Sequence, residues 1–135
     1  MPFSNKPLLR DSGEEGTWVL EENLTYITNN NDVITVPKGF LTDLASIPSL
    51  FTGVFDINGK HRSAAILHDY LYTIQDRIRY DADKIFLEAM ESSGVGFFTR
   101  WSMFSAVRLG GWVSWNNYED ERSVDVYGFL KSAGL

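Results

Sequence analysis

"HRSAAILHDYLYTIQ", residues 61–75, is where the hydrophobic period of the chain changes, and that change decides the fold. Ala64, Ala65, Leu67, His68, Leu71, Tyr72 and Gln75 recur at three- and four-residue spacing and share one broad face of a helix. His68 is therefore expected inward or at the edge of a cleft. Downstream, "YDADKIFLEAMESSG" (80–94) keeps the helical period: Ala82, Ile85, Phe86, Ala89 and Met90 form the apolar stripe, Asp81 is the expected N-cap and Gly94 the stop. A third helix is expected from Phe97 to Leu109, with Phe97, Trp101, Phe104 and Arg108 at helical spacing and Gly110-Gly111 as its end. That spacing predicts a core position for Trp101.

Upstream the pattern is β. "TWVLEE" (17–22), "LTYITN" (24–29) and "VITVP" (33–37) are short, rich in β-branched and aromatic residues, and separated by Glu22-Asn23 and the Asn29–Asp32 cluster, which suits a meander of antiparallel strands. The connection "VPKGFLTDLASIPSLFTGVFDINGK" (36–60) is punctuated by Pro and Gly yet apolar, so it is expected to pack inside. Strands first and helices after them predict an α+β domain spanning 1–135, a small antiparallel N-terminal sheet with three C-terminal helices packed on one side.

Composition narrows the function. A chain of 135 residues with 44% hydrophobic and 14% aromatic content can bury a core without metals or disulfides. It has no cysteine, which excludes thiolate zinc sites and cysteine nucleophiles. The net charge of −6 disfavours binding to a phosphate backbone, so no nucleic-acid partner is expected. Acids gather in residues 1–40 and again from Glu119 to Asp125. No apolar run approaches the ~20 residues of a membrane span, and no signal peptide is recognisable, so neither membrane insertion nor secretion is expected.

Three readings compete for the polar residues. His68 is the plausible general base, with His61 expected at an exposed helix start; Asp43 to orient the imidazole and Ser46 as hydroxyl complete the parts of a Ser-His-Asp arrangement. No Gly-x-Ser-x-Gly elbow surrounds Ser46, however, and Pro48 closely follows it. A metal reading groups His68 and Asp69 with Asp43, Asp81 or Asp83 around Zn²⁺, Mn²⁺ or Fe²⁺. Adjacent helical residues diverge by ~100°, and His61 and His68 stand ~10 Å apart, too far to share an ion. The third reading carries most weight: Asp43, Ser46, His68, Asp69, Asp83 and Arg108 form a satisfied structural network that needs no cofactor. Thr42 or Asp43 would cap a short turn, and Arg77, Arg79, Lys84 and Arg108 would pair with Asp69, Asp76, Asp81 and Asp83. Trp112, Trp115 and Tyr118 follow the Gly-Gly break without a sustained period and are expected to bind a partner.

The blocks "VPKGFLTDLASIP", "AAILHDYLY", "RYDADKIFLEAM" and "RWSMFSAVRLGGWVSW", in this order, closely resemble the phage and prophage family catalogued as domain of unknown function 1353. The resemblance covers about residues 33–115 and leaves the aromatic and acidic tail, 116–135, outside. Its matching positions are Asp43, Ser46, Pro48, His68, Asp69, Tyr72, Ala82, Asp83, Phe86, Ala89, Met90, Arg108 and a tryptophan near Trp115; His61 departs from the pattern. The resemblance implies a bacteriophage origin. The leading expectation is an accessory, tail-associated virion component that binds phage structural proteins, found in the virion or in the host cytoplasm before assembly. The alternative is a small metal-dependent hydrolase acting on cell wall or host molecules, with His68 as ligand or base and Asp43, Asp69 and Asp83 as ligands or orienters.

Overall fold

A computed structural model describes residues 2–42 and 61–119. The architecture is α+β: short antiparallel strands precede the helices along the chain. Strand β1 (Leu9–Asp11) pairs with β2 (Trp18–Leu20), which pairs on its other side with β5 (Leu41–Thr42); β3 (Leu24–Ile27) and β4 (Val33–Val36) form a separate hairpin.

The expected meander is thus two ladders. Strand β2 cannot continue into β3 because both of its edges are taken: the Leu20 amide donates to the Phe40 carbonyl, Gly39 N–H to Leu20 O, and Glu21 N–H to Leu8 O. The hairpin follows the sequence closely. Leu24 and Tyr26 sit opposite Val36 and Ile34 on the buried face, while Thr25 faces Thr35 on the outer one. Its turn uses Asn31 at φ 66°, a left-handed conformation that asparagine tolerates better than most residues.

Helix α1 spans Arg62–Ile74, α2 Arg79–Ser92 and α3 Phe97–Gly110. Helix α2 begins at Arg79, with Ile78 rather than Asp81 as its N-cap. The i,i+4 pair of Arg79 with Asp83 gives the additional turn its support, and Asp81, inside the first turn, still favours the helix dipole. Gly94, at φ 83°, follows the helix as its stop.

Helix α3 ends at Gly110-Gly111, as the glycine pair predicts, with Gly111 as its C-cap. Gly111 keeps right-handed helical angles, its amide donates to Val107 O, and Trp115 N–H donates back to Gly111 O, leading into a fourth helical segment over residues 112–119. A glycine is required there by close approach: a Cβ at 111 would collide with the Val107 carbonyl oxygen and lie 2.5 Å from the Tyr72 hydroxyl. Buried side chains of the hairpin, β2 and the helices share one core cluster, in which Met103 and Val107 form the inner face of α3. Trp101 lies on the opposite side and is 41% exposed, against the core position predicted for it. Among the described residues, no helix is long and apolar enough to cross a membrane.

Candidate functional site

His68 projects from the middle of α1 into the core, its ring between those of Tyr72 (centroids 4.3 Å apart) and Phe86 (4.5 Å). Both His68 and Asp83 are wholly buried, and His68 Nε2 lies 2.7 Å from Asp83 Oδ1. A carboxylate oxygen accepts, so the imidazole carries its proton on Nε2. Burial pushes the His68 pKa below its usual value, and the opposing attraction of Asp83 does not compensate, so the ring is neutral near pH 7.

Asp83 is the node of this site. Its Oδ1 also accepts from the Tyr72 hydroxyl at 2.6 Å, and its Oδ2 accepts from Arg108 Nη1 at 2.7 Å and more distantly from Arg79 Nη1 at 3.4 Å. Two guanidinium groups offset the cost of burying the carboxylate. Arg79 also donates to the Val107 and Arg108 carbonyls, which caps the last turn of α3 with a cation and fixes where α2 begins against it. The Tyr72 hydroxyl has its pKa raised by burial and by the adjacent Asp83 carboxylate, so it stays protonated as a donor.

Asp69 faces elsewhere. Its Oδ2 accepts from Thr42 Oγ1 at 2.5 Å and its Oδ1 from the Tyr118 hydroxyl at 2.7 Å, joining β5, α1 and the helical segment 112–119. Successive residues diverge around a helix, so His68 and Asp69 belong to two different bonding groups.

Of the proposed ligands that the structure describes, His68, Asp69 and Asp83 do not converge on one ion. An ion shared by His68 and Asp83 would sit about 2.0–2.2 Å from each atom and hold nitrogen and oxygen well over 3 Å apart. They meet directly at 2.7 Å instead, with Arg108 on the same carboxylate. Among the described residues no three His, Asp or Glu side chains converge as a ligand set, and Asp81 is exposed. Asp43, Ser46 and Pro48 lie outside the described residues.

Of the residues grouped from sequence, the structure brings His68, Asp83 and Arg108 together and places Asp69 in a neighbouring group. Thr42, read as a turn cap, is a strand residue bonded to Asp69. Tyr72 and Tyr118 were not recognised as donors. For Tyr72 a signal existed, its i,i+4 spacing from His68 on the same helical face; for Tyr118 none did. Trp112 is exposed, whereas Trp115 packs edge-on against Tyr72, and both it and Tyr118 lie against the chain's own core. A cleft of about 460 Å³ opens between the hairpin turn and α2, beside Asn29, Asp32, Tyr80, Lys84 and Glu88, and neither His68 nor Asp83 lines it.

The model of the family described as protein of unknown function (DUF1353) matches residues 18–107. The chain belongs to this family. The match takes in β2, the hairpin, α1, α2 and most of α3, beginning earlier than residue 33 and ending short of Arg108 and Trp115. The chain matches no curated protein and no solved structure.

Proposed function

We propose that this protein is a bacteriophage-encoded accessory component of the virion, associated with the tail, that acts by contact with other phage proteins rather than by a reaction of its own. The complete burial of His68 and Asp83 supports this reading most directly. The histidine that chemistry would need is neutral, wedged between two rings, and has Nε2 committed to a carboxylate already bonded to Tyr72 and Arg108. Such a group specifies packing.

A contact role draws on surface instead. Leu8, Val33 and Leu41 on the strand side and Phe98, Leu109 and Trp112 on the helical side are exposed. No cofactor is required for it. Mass spectrometry of gradient-purified particles tests the proposal: the protein should be present at a fixed ratio to a known tail protein, and His68→Gln should alter stability or incorporation only. Consistent absence from purified particles, with the protein abundant in the infected cell, overturns it.

A further inference from the structure

The helical segment 112–119 is joined to α3 through the glycine pair and lies back along α1. Three contacts among the described residues set its course. The Tyr118 hydroxyl donates to Asp69 Oδ1 at 2.7 Å, the Trp115 ring meets Tyr72 edge-on with centroids 5.1 Å apart, and Gln75 Nε2 donates to the Trp115 carbonyl at 2.7 Å. Asp69, Tyr72 and Gln75 follow one another at intervals of three along α1 and its C-cap, so they form one row, and the segment runs antiparallel to it. Trp115 and Tyr118 are likewise three apart and share one face, while Trp112, Val113, Asn116 and Asn117 are exposed.

What this segment covers differs in kind from an apolar core. Tyr72 is fully buried and Asp69 is 1% exposed, whereas Trp115 and Tyr118 above them are partly buried. Holding a carboxylate out of water is costly even when it is hydrogen-bonded, and lifting the segment returns water to Asp69. That hydration offsets part of what is lost when Tyr118 lets go. A helix of two turns is marginal by itself, so the freed segment also recovers chain entropy. Gly110-Gly111 supplies the pivot: α3 is complete before it, and glycine changes its backbone angles more freely than any other residue. The Asp83 node does not depend on the segment, since His68, Tyr72, Arg79 and Arg108 all come from α1, α2 and α3.

We infer that residues 112–119 are a strap, hinged at Gly110-Gly111 and latched by Tyr118 on Asp69, that lifts as a unit while α1, α2 and α3 stay packed. Closed, it seals the row of Asp69, Tyr72 and Gln75. Open, it gives water and solutes access to the Asp69 carboxylate and the Tyr72 ring, and it frees Trp115 and Tyr118 beside the exposed Trp112. Such an opening is a sub-global unfolding step, lower in free energy than unfolding of the whole domain. The strap is independent of the protein's place in a particle.

Native-state hydrogen exchange of the full chain, resolved by residue in low urea, tests it. The amides of Trp115 to Glu119 should exchange through an opening at least about tenfold more populated than the one that releases α1 and α2, and with a shallower dependence on urea, because little surface is exposed. Tyr118→Phe removes the latch and should raise that opening at least about tenfold, while α1 and α2 keep their steep urea dependence. Gln75→Asn shortens the second contact with a residue that tolerates the left-handed backbone at 75, and should act in the same direction even if Tyr118→Phe does not fold. Exchange of residues 115–119 with the rate and urea dependence of α1 overturns the inference. Unprotected amides there overturn it too, since a frayed end has nothing latched, and an opening that these substitutions leave unchanged overturns the latch.

Discussion

His68 on α1 and Asp83 on α2 face each other at 2.7 Å in the interior, and the carboxylate of that pair also receives Arg108 from α3. One side chain thereby joins α1, α2 and α3. Removing its charge leaves two guanidinium groups and two neutral donors aimed at a group that no longer neutralises them. Asp83→Asn should therefore destabilise the protein by about 3–5 kcal/mol, read from urea unfolding midpoints at constant m-value. A change within 1 kcal/mol would mean that the node is not a stabilising centre.

The neutral imidazole makes stability depend on pH with a definite sign. Folding lowers the His68 pKa, so at mildly acidic pH the unfolded chain binds more protons than the folded one. The contribution is fully present above the unfolded value near 6.5 and is lost as pH falls below it, by at most about 1.4 kcal/mol per pH unit. His68→Gln keeps a donor for Asp83 but cannot titrate. Comparing unfolding free energies of both proteins between pH 7.5 and 5 should show a steeper fall for the wild type; parallel curves would contradict a neutral buried ring.

Thr42 and Tyr118, far apart in sequence, both donate to Asp69. Thr42→Val and Tyr118→Phe should each cost about 1–3 kcal/mol, since each withdraws a donor from a buried charge. Because they share an acceptor, a double-mutant cycle should show coupling of at least about 0.5 kcal/mol. Strict additivity would argue that the two bonds act independently.

The backbone at Gly111 comes so near Tyr72 that an added Cβ would lie 2.5 Å from its hydroxyl. Gly111→Ala should raise helix propensity yet destabilise the fold by about 1–3 kcal/mol, because the methyl group must displace the Tyr72 hydroxyl from Asp83 or bend the helix. Chemical-shift changes should then appear at Tyr72 and Asp83, and a stabilised variant with an unperturbed Tyr72 would refute the steric reading.

What could be read in advance divides along physical lines. The hairpin was legible because alternation and the asparagine turn act over neighbouring residues, and α1 and α2 because their stripes are long. His68 could be placed inward from its own helical face. The pairing of β2 with β1 and β5 was not legible, since short strands carry no mark of which edge they will meet. Trp101 misled because helical spacing identifies a shared face without saying which face turns inward; Met103 and Val107 provide the buried one instead. The Gly-Gly pair is legible as the end of α3, but that Gly111 is also needed because its backbone approaches the Tyr72 hydroxyl depends on tertiary position and carries no mark in the sequence.

The shared carboxylate also bears on how the chain reaches its final state. Two helices docked without the third would trap an anion in a dry interior lacking one of its counter-charges, a species too costly to accumulate. Assembly of this half must then be nearly all-or-none, leaving little opportunity for a half-built helical layer to persist and stick to its neighbours.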